Sequence, residues 1–210
     1  MYLSTTDYVQ HKAAPGAKAA NDFYAMFDRY VGQLDAAGCT IVITADHGMN
    51  DKHDSDQQPD VIYLQDVLDA ALGAGTARVI LPITDPYVAH HGALGSFATV
   101  YVDADTVQSV IDAASAIEGV TVAIAAAEAG ERFELPIDRI GDVVVICDRH
   151  KVLGTTAARH DFSGLTEPLR SHGGLTEQTV PLISNRPTEV GSDRVLRNFD
   201  AFDMALNLVR

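Results

Sequence analysis

Tryptophan is absent, cysteine occurs twice, and 15 Lys plus Arg stand against 29 Asp plus Glu in 210 residues. The shortage of cations leaves a formal net charge of -14. A field of that sign repels phosphate backbones and anionic lipids, so neither nucleic acid nor a membrane is expected as a partner. No apolar run approaches the roughly 18 residues that span a bilayer, and residues 1–11 lack the basic flank and apolar centre of a signal peptide. The expected location is cytoplasmic. Two cysteines are too few for a disulfide framework or a zinc knuckle. Cys39 and Cys147 each adjoin a strand-like apolar run, which predicts buried, reduced thiols. With 47% apolar and 21% charged residues, 16 Gly and 8 Pro, the composition excludes collagen-like, coiled-coil and disordered chains and leaves a globular one.

Hydrophobic patterning gives the organisation. Over residues 17–37, Phe23, Met26, Phe27, Tyr30, Val31 and Leu34 recur at three- and four-residue steps, which predicts an amphipathic helix ended by Gly38. Residues 40–45 follow as a β-branched run, predicted as a strand buried on both faces and stopped by Asp46-His47-Gly48. A helix feeding a buried strand is the signature of an α/β fold, whose ligands collect at the carboxyl ends of strands. A polar loop over 50–59, a strand at 60–64, a short helix at 65–72 and a strand at 78–83 stopped by the Asp85-Pro86 turn come next. Strands at 97–102, 120–124 and 142–147 enclose a helix over 103–117 capped by Asp103 or Asp105. Residues 78–148 thus form a smaller α+β lobe on a core built from 1–77 and 149–210. Residues 149–174 have little periodicity and read as a long loop, 179–183 as a short strand, and Phe199, Phe202, Ala205, Leu206 and Val209 as the stripe of a last helix. Residues 2–6 resemble the tail of a strand that would begin before Met1.

Three separated segments carry metal-ligand chemistry. Asp7 and His11 share one face if the chain turns helical after Thr6. Asp46 and His47 are adjacent, so in extended backbone their side chains diverge and can serve two partners. His172 stands in Ser171-His172-Gly173-Gly174, where small neighbours let the backbone approach an ion. Carboxylate and imidazole are zinc ligands, whereas calcium takes oxygen alone, so the set points to a dinuclear zinc site. Among the other histidines, His53 reads as a solvated loop residue rather than a support for a ligand. His90 and His91 precede a glycine-rich turn in either a cleft or a structural role, and His150 and His160 read as surface or structural.

Ser4-Thr5-Thr6-Asp7-Tyr8 through His11-Lys12, Thr44-Ala45-Asp46-His47-Gly48-Met49 and Arg170-Ser171-His172-Gly173-Gly174 resemble the metal motifs of the alkaline phosphatase superfamily, in particular its phosphonoacetate hydrolases. The runs His90-His91-Gly92-Ala93-Leu94-Gly95-Ser96-Phe97, Leu135-Pro136 and Asp138-Arg139-Ile140-Gly141-Asp142 extend the likeness over nearly the whole chain. The resemblance implies part of a mostly parallel sheet flanked by helices. It also implies one zinc held by Asp7, His11 and His172, a second held in part by Asp46 and His47, and hydrolysis of the P–C bond of a small-molecule phosphonate to acetate and phosphate.

Members of that family are about twice as long, and their amino-terminal half supplies a threonine nucleophile, a further aspartate on the second zinc and lysines for the substrate carboxylate. This sequence offers no counterpart, since Thr5, Thr6 and Thr44 lie in segments matched to other motifs, and no catalytic residue is assigned. The expectation is therefore a carboxyl-terminal half that works with a complementing amino-terminal half or pairs as a homodimer. Two alternatives stand beside it: a phosphodiesterase- or phosphatase-like hydrolase of the same superfamily, and a zinc-binding fragment without catalysis.

Overall fold

The computed structural model describes residues 5–82, 94–191 and 193–209. The Asp85-Pro86 turn, His90 and His91 lie outside them, as do the first residues of the strand tail expected over 2–6. Thr5 and Thr6 of that tail belong to a helix. The chain forms two compact units, Met1–Gly48 with Glu177–Arg210, and Met49–Thr176.

The first unit carries helices α1 (Thr5–Lys12) and α2 (Lys18–Ala36), strand β1 (Val42–Thr44), strand β10 (Leu182–Ser184) and helix α6 (Asp200–Asp203), which runs on into a π-helical turn over Met204–Leu208. Helix α2 stops as its sequence predicts. Gly38 takes φ +83°, its N–H bonds to the Asp35 carbonyl, and the Cys39 N–H reaches back to Leu34, which satisfies carbonyls that the helix end would otherwise orphan. Asn185 fixes the step from α2 to β1: its side chain donates to Asp35 and to the Cys39 carbonyl and accepts from the Ile41 N–H. Strand β1 pairs antiparallel with β10 in the register Val42↔Ser184 to Thr44↔Leu182. Near the C-terminus Arg194 bonds both Asp200 and Asp203. The Arg197 N–H chiefly, with help from Arg194, holds the Asp200 carboxyl below its ordinary range, and Asn207 chiefly does the same for Asp203. These depressed carboxyls favour the fold above the ordinary carboxylate range, and the contribution fades only as pH falls through the lowered values.

Two expectations fail in this unit. Strand β1 is half-buried along its length rather than buried on both faces, and Cys39 is exposed. The cause is shared: among the described residues of this unit, the buried apolar side chains are Ala20 and Met204. Tyr24, Met26, Tyr30 and Leu34 of α2, Ile183 of β10, and Phe199, Phe202 and Leu206 of the last helix are exposed.

The second unit is built on a four-stranded antiparallel sheet in the order β4 (Ala77–Ile80), β5 (Phe97–Val102), β7 (Val143–Cys147), β6 (Val120–Ala125). Strand β7 is central, and all five of its residues are buried, as a continuous Val-Val-Val-Ile-Cys run requires. Val143, Val145 and Cys147 pack with Leu64 and Leu68 of α3 (Leu64–Leu72) and with Val110 and Ala114 of α4 (Val107–Ser115). Val144 and Ile146 face the other way, toward Ala129 of α5 (Ala126–Phe133) and Ile140. Helix α4 starts after Thr106, with neither Asp103 nor Asp105 as its cap; the Thr106 hydroxyl donates to Asp105 instead. Helix α5 gives a weak sequence signal because the stripe it turns to the core, Ala126, Ala129 and Phe133, is mostly alanine.

The run expected as a loop after residue 149 contains β8 (Val152–Gly154), fully buried and paired parallel with β3 (Val61–Tyr63). Three apolar residues are too few to show a period, and tertiary pairing decides their state. Strand β2 (Asn50–Asp51) pairs antiparallel with β9 (Arg170–Ser171). The fold is mixed α/β, as expected. Of its mostly parallel sheet, the described residues hold one parallel pair, β3–β8, while the other ladders run antiparallel.

Gly141 shows how tightly this core closes. At φ +66° an added Cβ would lie 2.9 Å from the Val100 carbonyl oxygen, which is backbone and cannot rotate away. Gly141→Ala is expected to destabilise the unit by about 1–3 kcal/mol or more, read as a lower urea midpoint with an unchanged slope.

Candidate metal centre

Helix α1 exists because Thr5 to Lys12 close hydrogen-bonded turns, and its four-residue step sets Asp7 and His11 side by side. Asp7 Oδ1 lies 3.6 Å from His11 Nε2, and the His11 side chain is 2% exposed against 27% for Asp7. Both facing atoms are shielded from solvent. Donors on a tetrahedral ion with bonds near 2 Å stand about 3.3 Å apart, so this separation fits two ligands of one zinc.

Asp46 and His47 follow β1 directly. The Asp46 carboxylate accepts the His47 N–H at 3.1 Å, which folds that side chain back over the turn, and it is 57% exposed. His47 Nδ1 lies 3.0 Å from the Gly48 carbonyl oxygen. A carbonyl can only accept, so Nδ1 carries the proton and Nε2 presents the lone pair, the tautomer a metal ligand needs. Gly48 in turn donates to the Glu177 carbonyl at 2.7 Å, and an added Cβ there would stand 3.3 Å from the same oxygen, so glycine lets the backbones close at this turn. One ligand atom each of Asp7 and His47 lies within 4.8 Å of the other. The first unit therefore gathers Asp7, His11 and His47, with Asp46 beside His47, and the carboxylate–imidazole donor set suits a divalent transition metal. Thr44 Oγ1, two residues before Asp46, is buried and has no hydrogen-bond partner among the described residues. Its burial denies it the access that a nucleophile needs.

His172 belongs to the second unit and is half-buried. It follows β9, its carbonyl accepts the Ser96 N–H at 2.9 Å, and Gly173 at φ +102° turns the chain immediately after it. The Ser171 hydroxyl donates to the Leu94 carbonyl at 2.6 Å.

The remaining histidines divide as follows. His53 is half-buried, with Nδ1 2.9 Å from the Asp54 carbonyl. His150 is exposed and approaches the Asp51 carbonyl. His160 is buried, accepts the Thr155 N–H and stacks on Tyr63, a structural part. Sequence reasoning passed over Lys52, which is fully buried and bonds Ser96 and the Arg149 carbonyl, both at 2.6 Å. A lysine inside a polar loop gives no sequence signal of burial.

Comparison with known proteins places this geometry. The chain is similar to phosphonoacetate hydrolase from Sinorhizobium meliloti 1021, solved in complex with phosphonoacetate and with phosphonoformate. Each complex aligns with TM-score 0.88 and 59% identity over 95% of this chain and 49% of that one. Murine ectonucleotide pyrophosphatase / phosphodiesterase 5 aligns with TM-score 0.62 and 19% identity over 97% of this chain and 52% of that one, a likeness of fold. A phosphonoacetate hydrolase from Penicillium oxalicum is 54% identical over 41 residues, 18% of this chain and 57% of that protein. The chain spans about half the length of the solved relatives. No helix among the described residues is long and apolar enough to cross a membrane. The model of type I phosphodiesterases / nucleotide pyrophosphatases matches residues 1–175, and the chain belongs to that family.

Proposed function

We propose that this chain is the metal-binding half of a zinc-dependent hydrolase that cleaves the P–C bond of phosphonoacetate. The observation that carries the reading is the clustering of Asp7, His11 and His47 donors in a chain 59% identical to an enzyme solved with phosphonoacetate. In this reading Asp7, His11 and His172 hold one zinc, and Asp46 and His47 contribute to the second. Zinc, when bound, supplies Lewis-acid polarisation of the phosphonate oxygens.

The chain's own residues prepare that chemistry. Asp7 brings the negative charge that offsets the cation, buried His11 brings a neutral donor held against solvent competition, and the Gly48 carbonyl keeps His47 in its ligating tautomer. The overall reaction breaks the P–C bond, forms a P–O bond to oxygen from water, and delivers a proton to the departing carbon, giving acetate and phosphate. A carbanion leaving group needs a cation near the acetate carboxylate so that charge spreads into an enolate. That cation and the nucleophile are assigned to a complementing amino-terminal half. The exposed apolar residues of the first unit support this assignment: Met26, Tyr30 and Leu34 form one stripe of α2, and Phe199, Phe202 and Leu206 another on the last helix. Exposed apolar surface of this kind marks an interaction site. Tyr30→Glu with Leu34→Glu is expected to prevent co-purification with the other half of a relative while leaving this chain folded by circular dichroism.

A second reading, hydrolysis of a phosphate ester, is favoured by the family model itself, which is named for phosphodiesterases. Phosphate release from phosphonoacetate, compared with release from a nitrophenyl phosphate ester by the same complemented protein, separates the two. Faster turnover of the ester would overturn the phosphonate assignment.

A further inference from the structure

We propose that Lys52 and Ser96 are positioning residues that set the place of His172; the inference rests on the reading above that His172 holds zinc. The segment ending in His172 is gripped on two sides. On one side β2 pairs with β9, and the ladder continues through the Lys52 N–H, which donates to the Leu169 carbonyl at 2.8 Å. On the other side the 94–96 segment takes hold: Ser171 Oγ donates to the Leu94 carbonyl at 2.6 Å, and the Ser96 N–H donates to the His172 carbonyl at 2.9 Å.

Lys52 joins the two sides. Its ammonium donates to Ser96 Oγ at 2.6 Å, and that hydroxyl, its lone pair so occupied, donates its own proton to the Lys151 carbonyl at 2.9 Å. Another bond of the ammonium, to the Arg149 carbonyl at 2.6 Å, ties it to the turn after β7. Ser96 is itself fully buried, and its carbonyl accepts the Cys147 N–H at 3.0 Å, so each of its polar groups has a fixed partner. Lys52 thus holds β9 through its main chain and, through its side chain, the residue whose N–H grips the His172 carbonyl.

Burying an ammonium is expensive, and an apolar side chain of similar volume would fill the space without that expense. A ligand that must stand within a few tenths of an ångström of its ion accounts for the charge, because a fully bonded polar network fixes one geometry where apolar packing tolerates several. Outer partners that orient a metal ligand are worth about 10–100-fold in metal affinity.

The test titrates zinc alone into the full chain and its variants by chelator competition, with the visible spectrum of the cobalt(II) form as a second readout. His172→Ala is measured first; unchanged zinc affinity would sink the ligand assignment itself. With that assignment standing, Ser96→Ala and Lys52→Met are expected to weaken zinc binding by about 10–100-fold and to alter the cobalt(II) bands. Leu68→Ala, which empties volume in a core cluster that includes none of residues 94–97, should lower the melting temperature and leave both readouts at wild-type values. Wild-type zinc affinity and cobalt(II) bands in Ser96→Ala overturn the positioning role. So does a loss no larger than that of Leu68→Ala. If Lys52→Met does not fold, Ser96→Ala alone decides.

Discussion

Replacing Asp7 by Ala should lower the zinc affinity of this chain by more than about 100-fold, a larger effect than any outer partner of a ligand produces. Asp7 lies 3.6 Å from His11 and within 4.8 Å of His47, so its loss is felt by both imidazoles. Removing it also deletes the anionic charge of the proposed three-ligand set and takes the carboxylate away from His11, which is 2% exposed. Asp7→Asn separates charge from shape: it keeps the volume and one oxygen donor, and should fall between wild type and Asp7→Ala. Chelator competition at constant pH reads all three. Equal affinity in wild type and Asp7→Ala would remove Asp7 from the metal site and with it the basis of the proposed chemistry.

The second large effect is in phosphate release. The chain by itself, with zinc supplied, is expected to release phosphate from phosphonoacetate about four to six orders of magnitude more slowly than a complemented protein, the usual consequence of losing an activated nucleophile. Adding the half of the Sinorhizobium meliloti enzyme that this chain does not span should restore turnover, and His172→Ala should abolish the restored activity. Turnover by the chain alone that His172→Ala eliminates would show that it finds a nucleophile of its own, and the assignment of that role to a second half would be wrong.

The elements legible in the sequence were those whose pattern is local. Gly38 announced the end of α2 because a positive φ is a property of one residue. The five-residue run of β7 announced a central strand because burial on both faces demands unbroken apolar character. The same rule misled at β1, where a β-branched run has the composition of a strand covered on both faces but is only half-buried in the described part of its unit. Strand β8 and helix α5 are hard to read because three residues show no period and a stripe made of Ala126, Ala129 and Phe133 is only weakly apolar. Of the proposed site, Asp7, His11, Asp46, His47 and His172 are candidates by residue type and spacing, because the chemistry of a ligand is local too, and the structure sets Asp7 beside His11 in one unit. The partnership of Lys52 with Ser96 was invisible, being a contact across 44 positions between two residue types common in any loop.

The second unit is one uninterrupted stretch, Met49–Thr176, and near its two ends the Asn50 amide donates to the Thr176 hydroxyl at 3.2 Å. A segment whose entrance and exit touch can be exchanged without stretching the chain on either side, the condition under which domain insertions succeed. This stretch can therefore be exchanged as a cassette only if the replacement brings an equivalent of His172 with it, because a cassette without one would take a ligand from the proposed three-ligand zinc site while the residues of α1 and the Asp46-His47 turn stayed in place.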